Sequence, residues 1–221
     1  MREQRLAIQK LISLPERMAE YFARLDCYPR AEWFGTCDPA GRPLGSGGGT
    51  AHLLIEAWRA MASGQRFAAW LRESRKLVIH GGGQSRRLPA YAPVSKLFIP
   101  VPVFRWARGQ RLDQKLLDLQ CPEYERVLAH APRDYAVMIT SGDVLPRLGK
   151  ELPPLPRVDV LGLGMWVNPE VAKDFGVFFS QQNFESSSRS FICYCGACWA
   201  SSHNDNIVVH VSSIHEICHF L

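Results

Sequence analysis

The sequence has no long apolar run. Its longest, Leu97-Phe98-Ile99-Pro100-Val101-Pro102-Val103-Phe104, is broken twice by proline and falls far short of the about 20 residues a membrane helix needs. The N-terminus, Met1-Arg2-Glu3-Gln4-Arg5, is charged and lacks the apolar core of a secretory signal. A cytoplasmic location is the expectation. No Lys/Arg run or basic helix accompanies the net charge of +5, which argues against nucleic acid and leaves phosphorylated small molecules as natural partners. Cysteine is sparse up to residue 180, where Cys27, Cys37 and Cys121 stand alone and read as free thiols of a reducing compartment. Beyond that point other residues go missing. The last 41 positions hold no proline, no lysine and one glycine, yet they carry Cys193, Cys195, Cys198, Cys218, His203, His210, His215 and His219. The charge divides in the same place. Residues 1–180 hold 25 Lys+Arg against 18 Asp+Glu, a balance of +7, and the remainder one against three, a balance of −2. The two parts need separate readings.

Within the first part, residues 3–25 read as two helices. Ser13-Leu14-Pro15-Glu16 fits a capping box, with Met18, Phe22 and Leu25 on one stripe behind it. Strand candidates follow at 33–36, 77–80, 135–140 and 158–163. A glycine loop over 45–50 precedes a helix over 51–62, and further helix is expected over 112–119 and 124–129. Strands alternating with helices indicate an α/β protein with a mostly parallel sheet. Ligands of such sheets bind outside the carboxyl ends of the strands. Both glycine loops and Asp143 fall at such ends.

The strongest segment is His80-Gly81-Gly82-Gly83-Gln84-Ser85-Arg86-Arg87-Leu88-Pro89, continuing to Ser95-Lys96. Successive glycines after a strand let backbone N–H groups approach a phosphate without a Cβ in the way. Arg86, Arg87 and Lys96 add positive charge beside them. The order is not a Walker A loop, since no Gly-Lys-Ser/Thr closes it, and not a G-x-G-x-x-G fingerprint. It resembles the glycine-rich loop of sugar nucleotidyltransferases, G-G-x-[GS]-x-R-L-…-K, with Gly82, Gly83, Ser85, Arg87, Leu88 and Lys96 on the motif. Ser95 stands where that family usually has proline.

Four more motifs agree in order: Leu44-Gly45-Ser46-Gly47-Gly48-Gly49-Thr50, Pro100-Val101-Pro102-Val103-Phe104-Arg105-Trp106, Ser141-Gly142-Asp143 and Gly176-Val177-Phe178. Over residues 5–180 the chain resembles the guanylyltransferase part of bifunctional L-fucokinase/fucose-1-phosphate guanylyltransferases, with Asn168 and Phe175 as departures. The resemblance implies a Rossmann-like nucleotidyltransferase fold, incomplete on its C-terminal side. It divides the chain into a helical segment at 1–30, a partial transferase domain at 31–180 and a tail at 181–221.

The reaction it implies is transfer of GMP from GTP to L-fucose 1-phosphate, giving GDP-L-fucose and pyrophosphate. Arg87 and Lys96 would then neutralise the triphosphate, with Arg86 as a weaker partner. Gly82, Gly83, Gln84 and Ser85 would line the phosphate path, Gly47, Gly48 and Gly49 would border the nucleotide, and Asp143 would hold Mg²⁺. The 45–50 loop also slightly resembles the phosphate loop of GHMP-type sugar kinases, which keeps a kinase as the alternative. For the tail, Cys195-x₂-Cys198 followed by His210 and His215 nearly fits a zinc finger, which would make the chain a nucleotide-binding fragment with a zinc appendage. The composition reads more readily as a shifted frame or retained intron. A tail without lysine offers nothing for the lysine that the family places on the sugar side.

Overall fold

Ile8–Ser13 (β1) lies inside the sheet of the first unit. In a computed structural model, which describes residues 7–62, 64–81, 95–101, 113–167, 176–178, 191–194 and 207–211, β1 runs parallel to Trp33–Thr36 (β2) on one side and to Arg75–His80 (β3) on the other. Val137–Ser141 (β4) continues beyond β3, so the order is β2-β1-β3-β4 and every pairing is parallel. The fold class read from the sequence stands: α/β, Rossmann-like, with a parallel sheet.

Side chains alternate across each strand. Leu11 and Val78, paired in register, face Leu53 and Ala57 of Gly45–Met61 (α2) and Trp70 of Phe67–Glu73 (α3). Ile12 and Ile79 face the opposite layer, formed by Met18 and Phe22 of Glu16–Phe22 (α1), Leu97, and Leu117, Cys121, Tyr124 and Leu128 of Leu116–His130 (α4). A sheet covered on both faces buries successive residues of its inner strands, so Leu77, Val78 and Ile79 are all fully buried.

Four expectations need correction. The first of the two helices over 3–25 is the strand β1. Lys10 lies within this strand, its Nζ reaching Glu125 at 2.8 Å and Glu32 at 3.4 Å. Ser13 is therefore the last strand residue and no helix cap. Pro15 precedes α1 without any side-chain cap bond. Second, helix α2 begins at Gly45, six residues before the expected start, so the 45–50 stretch forms its opening turns. Third, the two helical pieces around 112–129 are one helix running through Pro122. Its continuous buried stripe outweighs the one missing N–H. Fourth, the strand expected at 158–163 is Leu161–Val167 (β5), and it does not join the parallel sheet. Helix α3, which holds the buried Trp70, escaped the sequence reading.

The chain divides into two units, Met1–Arg147 and Leu148–Leu221, ahead of the compositional break at Ser180. Besides β5 the second unit contains Gly176–Phe178 (β6), Phe191–Tyr194 (β7) and Ile207–Val211 (β8), in an antiparallel sheet ordered β6-β7-β5-β8. Aromatic and β-branched runs such as Ile207-Val208-Val209 favour strands. No helix among the described residues is long and apolar enough to cross a membrane.

Candidate functional site

Four residues stand side by side at the carboxyl edge of the parallel sheet. Thr36 is in register with Ser13, Ser13 with His80, and His80 with Ser141. The backbone ladder runs one residue further: Leu14 N–H donates to Thr36 O (2.9 Å), Gly81 N–H to Ser13 O (2.7 Å) and Gly142 N–H to His80 O (2.8 Å). The order β2-β1-β3-β4 reverses direction at β1, and the crevice between β1 and β3 is the switch point where such sheets bind ligands.

Gly81 and Gly142 owe their identity to packing. A Cβ on Gly81 would overlap Leu97 and lie 2.9 Å from Ser13 O. One on Gly142 would sit 2.8 Å from both His80 O and Leu97. Leu97 is fully buried under these two glycines, and it anchors the 3-10 turn Lys96–Phe98 against the ends of β3 and β4. Ser95 leads into that turn at φ +62°, with its hydroxyl donating to Gly81 O at 2.8 Å. Proline, locked near φ −65°, could not take this conformation, which gives the departure at Ser95 a physical meaning.

The turn brings Lys96 to Asp143. Their Nζ–Oδ2 distance is 2.8 Å, and each side chain is about one-third exposed, at 35% and 34%. Ser141 Oγ donates to the other carboxylate oxygen at 2.6 Å. Burial pushes the Asp143 carboxyl up, but the hydrogen bonds from Lys96 and Ser141 outweigh it, and the net shift is downward. Asp143 is therefore ionised across the physiological range, beside a cation, at a strand end.

On the other face, α2 starts next to β3. Gly47 has open space where a side chain would be, Gly48 meets only Leu44, and Gly49 lies against Asp38 and His80. Glycine in the first turn exposes the helix's unpaired N–H groups. Thr50 Oγ donates to Ser46 O at 2.8 Å and lies 2.7 Å from His80 Nε2. With its one proton committed to Ser46, the hydroxyl accepts from a His80 that is protonated at Nε2. Burial holds the imidazole below its ordinary value, against the opposing influence of Asp38, so His80 is neutral at pH 7. Asp38 also accepts the Leu44 N–H at 3.1 Å, fixing the entry to α2.

Of the residues singled out from the sequence, Lys96, Asp143, Gly47, Gly48 and Gly49 fall on this one edge. Gly82, Gly83, Gln84, Ser85, Arg86 and Arg87 lie outside the described residues, as do Asn168, Phe175, Cys195, Cys198 and His215. Among the described residues no three His, Cys, Asp or Glu side chains converge as a metal cluster. Cys27, Cys37 and Cys121 are free thiols. Two open cavities of about 500 and 420 Å³ border the amino ends of the strands and contain none of these groups. Sequence reasoning missed His80 and Thr50 as partners, and it missed the buried Gln120. The last was visible as a polar residue on the apolar stripe of α4.

The carboxyl edge of this parallel α/β sheet thus gathers glycine-rich backbone, a lysine and an ionised carboxylate. The family model described as fucose pyrophosphorylase domain matches residues 69–219, more than half of the chain, and its span continues past the break at Ser180 into the tail. The chain is also 47% identical over 175 residues to an L-fucokinase/L-fucose-1-P guanylyltransferase of Bacteroides fragilis, an alignment covering 79% of this chain and 18% of that relative. This protein belongs to the fucose pyrophosphorylase domain family. It spans less than a fifth of the length of the relative it matches. No solved structure matches it.

Proposed function

We propose that this chain handles the nucleotide phosphates in a GDP-fucose-forming transfer, in which an oxygen of L-fucose 1-phosphate attacks the α-phosphorus of GTP and pyrophosphate leaves. The observation that carries the reading is the Lys96–Asp143 pair beside Gly81 and Gly142, at the strand ends from which the glycine–arginine loop departs. Such a transfer needs positioning and charge neutralisation more than covalent chemistry. Lys96 and Arg87, with Arg86, would offset the triphosphate charge. Backbone N–H groups of Gly82, Gly83 and Gln84, with Ser85, would line its path, and the start of α2 at Gly47, Gly48 and Gly49 would border the nucleotide.

Asp143 supplies one hard oxygen ligand. A single carboxylate together with phosphate oxygens is a common way of holding Mg²⁺, so the residues fit that ion. Bound there, Mg²⁺ would neutralise charge on the leaving pyrophosphate. The Thr50–His80 contact supports this reading over a sugar kinase, because it ties the start of α2 to His80, the strand end from which the glycine–arginine sequence follows.

Pyrophosphate release from GTP and L-fucose 1-phosphate is the test. The expected result is Mg²⁺-dependent release that prefers GTP to ATP and UTP and falls at least 10²-fold in Arg87→Ala. Absence of release together with absence of a GTP-induced thermal shift would refute the assignment.

A further inference from the structure

Helix α4 buries Leu117, Gln120, Cys121, Tyr124, Val127 and Leu128 along one stripe. Gln120 is the one amide among them, and it is fully buried. Its Nε2 donates to Gly142 O at 2.9 Å and also to Val144 O. A single NH₂ group thus holds the carbonyls on both sides of Asp143. Its Oε1 is buried with no hydrogen-bond partner. An apolar side chain of the same length would fill this space without stranding an oxygen, so packing alone does not account for glutamine here. What the amide adds is a fork with two donors, aimed at one tight loop. Tyr124, one turn further along α4, touches the same loop more loosely, at 3.4 Å from Ser141 O and 3.2 Å from Val144 O.

We infer that Gln120 is a positioning residue for Asp143. By holding the Gly142–Asp143 and Val144–Leu145 peptide groups, it sets the direction in which the carboxylate leaves the end of β4, so that the two oxygens meet Ser141 and Lys96. On the function proposed above, the same constraint presents the carboxylate to a divalent cation held with the nucleotide's phosphates. Ser141 and Lys96 bind the carboxylate itself, while Gln120, fully buried, acts on the backbone that carries it. Groups that orient a ligand-bearing carboxylate from behind commonly change metal affinity 10- to 100-fold when removed.

The test uses the full chain and the variant Gln120→Met, which keeps length and apolar bulk but has no donor. Hydrogen–deuterium exchange without any ligand should be at least 10-fold faster at residues 142–145 in the variant, with β1 and β3 unchanged. Equal exchange in the two proteins overturns the inference. Titration of Mg²⁺ at fixed GTP, followed by tryptophan fluorescence, should show apparent Mg²⁺ affinity weakened 10-fold or more while metal-free GTP affinity stays within twofold. Loss of both to the same extent, or of neither, overturns it. If Gln120→Met does not fold, the wild-type chain decides. The side-chain NH₂ protons of Gln120 should be strongly protected from exchange, and exchange at the free-amide rate counts against the assignment. A wild-type chain without GTP affinity would refute the proposed function, while the ligand-free exchange measurement would still decide the role of Gln120.

Discussion

Replacing Lys76 by methionine should remove a pH-dependent gain in stability. Lys76 lies on β3 and is fully buried. Its Nζ donates to Trp70 O (2.8 Å), Ser74 O (2.8 Å) and Ser74 Oγ (2.7 Å), and sits 4.3 Å from the centroid of a Trp70 ring. Burial lowers its pKa from 10.5 to about 8, with Glu73 acting the other way. The folded pKa is thus below the unfolded one. Below pH 8 both states hold the proton. Between 8 and 10.5 the unfolded chain keeps it and the folded protein has released it, so stability rises with pH. Integrating over pH 8 to 9 gives about 1 kcal/mol, a shift of roughly 2–4 °C in Tm for a chain of this size. Cys121, which burial raises from 9.0 to about 12, acts in the opposite sense but equally in both proteins. The wild-type minus Lys76→Met difference therefore isolates the lysine. Urea unfolding at pH 8 and pH 9, followed by the fluorescence of the adjacent Trp70, measures it. A wild-type advantage that stays constant or shrinks between the two pH values would refute the reasoning.

Three further outcomes are expected. Lys96→Met should let the Asp143 carboxyl titrate higher. The pair's contribution is complete above the ordinary value of 3.8 and lost as pH falls through the depressed folded value, so acid unfolding should begin at higher pH in the variant. Because both groups are about one-third exposed, the cost at pH 7 should be about 1 kcal/mol or less, whereas pyrophosphate release should fall far more. Gly142→Ala forces a methyl to within 2.8 Å of His80 O and Leu97 and should destabilise by about 1–3 kcal/mol. The companion Leu97→Ala costs about 2–5 kcal/mol by itself but relieves the side-chain half of that clash, so in a denaturant titration the double variant should lose less than the two single losses added together. Thr50→Val should cost about 1 kcal/mol by removing the hydrogen bond to His80, with Thr50→Ser restoring it. Identical stability of Val and Ser variants would show that the contact does not hold α2 to β3.

Much of the site was legible because strand ends announce themselves locally. Leu77-Val78-Ile79-His80 followed by glycine, and a β-branched run ending in Ser141-Gly142-Asp143, report an element and its termination within a few residues. That Lys96 meets Asp143 across 47 residues was not legible, since it depends on Leu97 seating between two glycines from different strands. Gln120 was visible only as an anomaly in a helical stripe, because its partners come from the loop after β4.

The sequence by itself determined the α/β alternation, the glycine-rich loop at the end of β3, the residue types suited to phosphate and the family to which the chain belongs. These follow from hydrophobic period, turn chemistry and motif order, which are properties of short segments. Tertiary structure alone decided that Ile8–Ser13 is a strand within the sheet, that the 45–50 glycines open a helix, and that β5 joins the strands of the Cys/His-rich tail. In each case local preference was ambiguous or opposed, and burial between two neighbours chose the outcome. Lys10 can sit in the sheet only because Glu32 and Glu125 meet its ammonium, and no window of sequence around residue 10 contains that information.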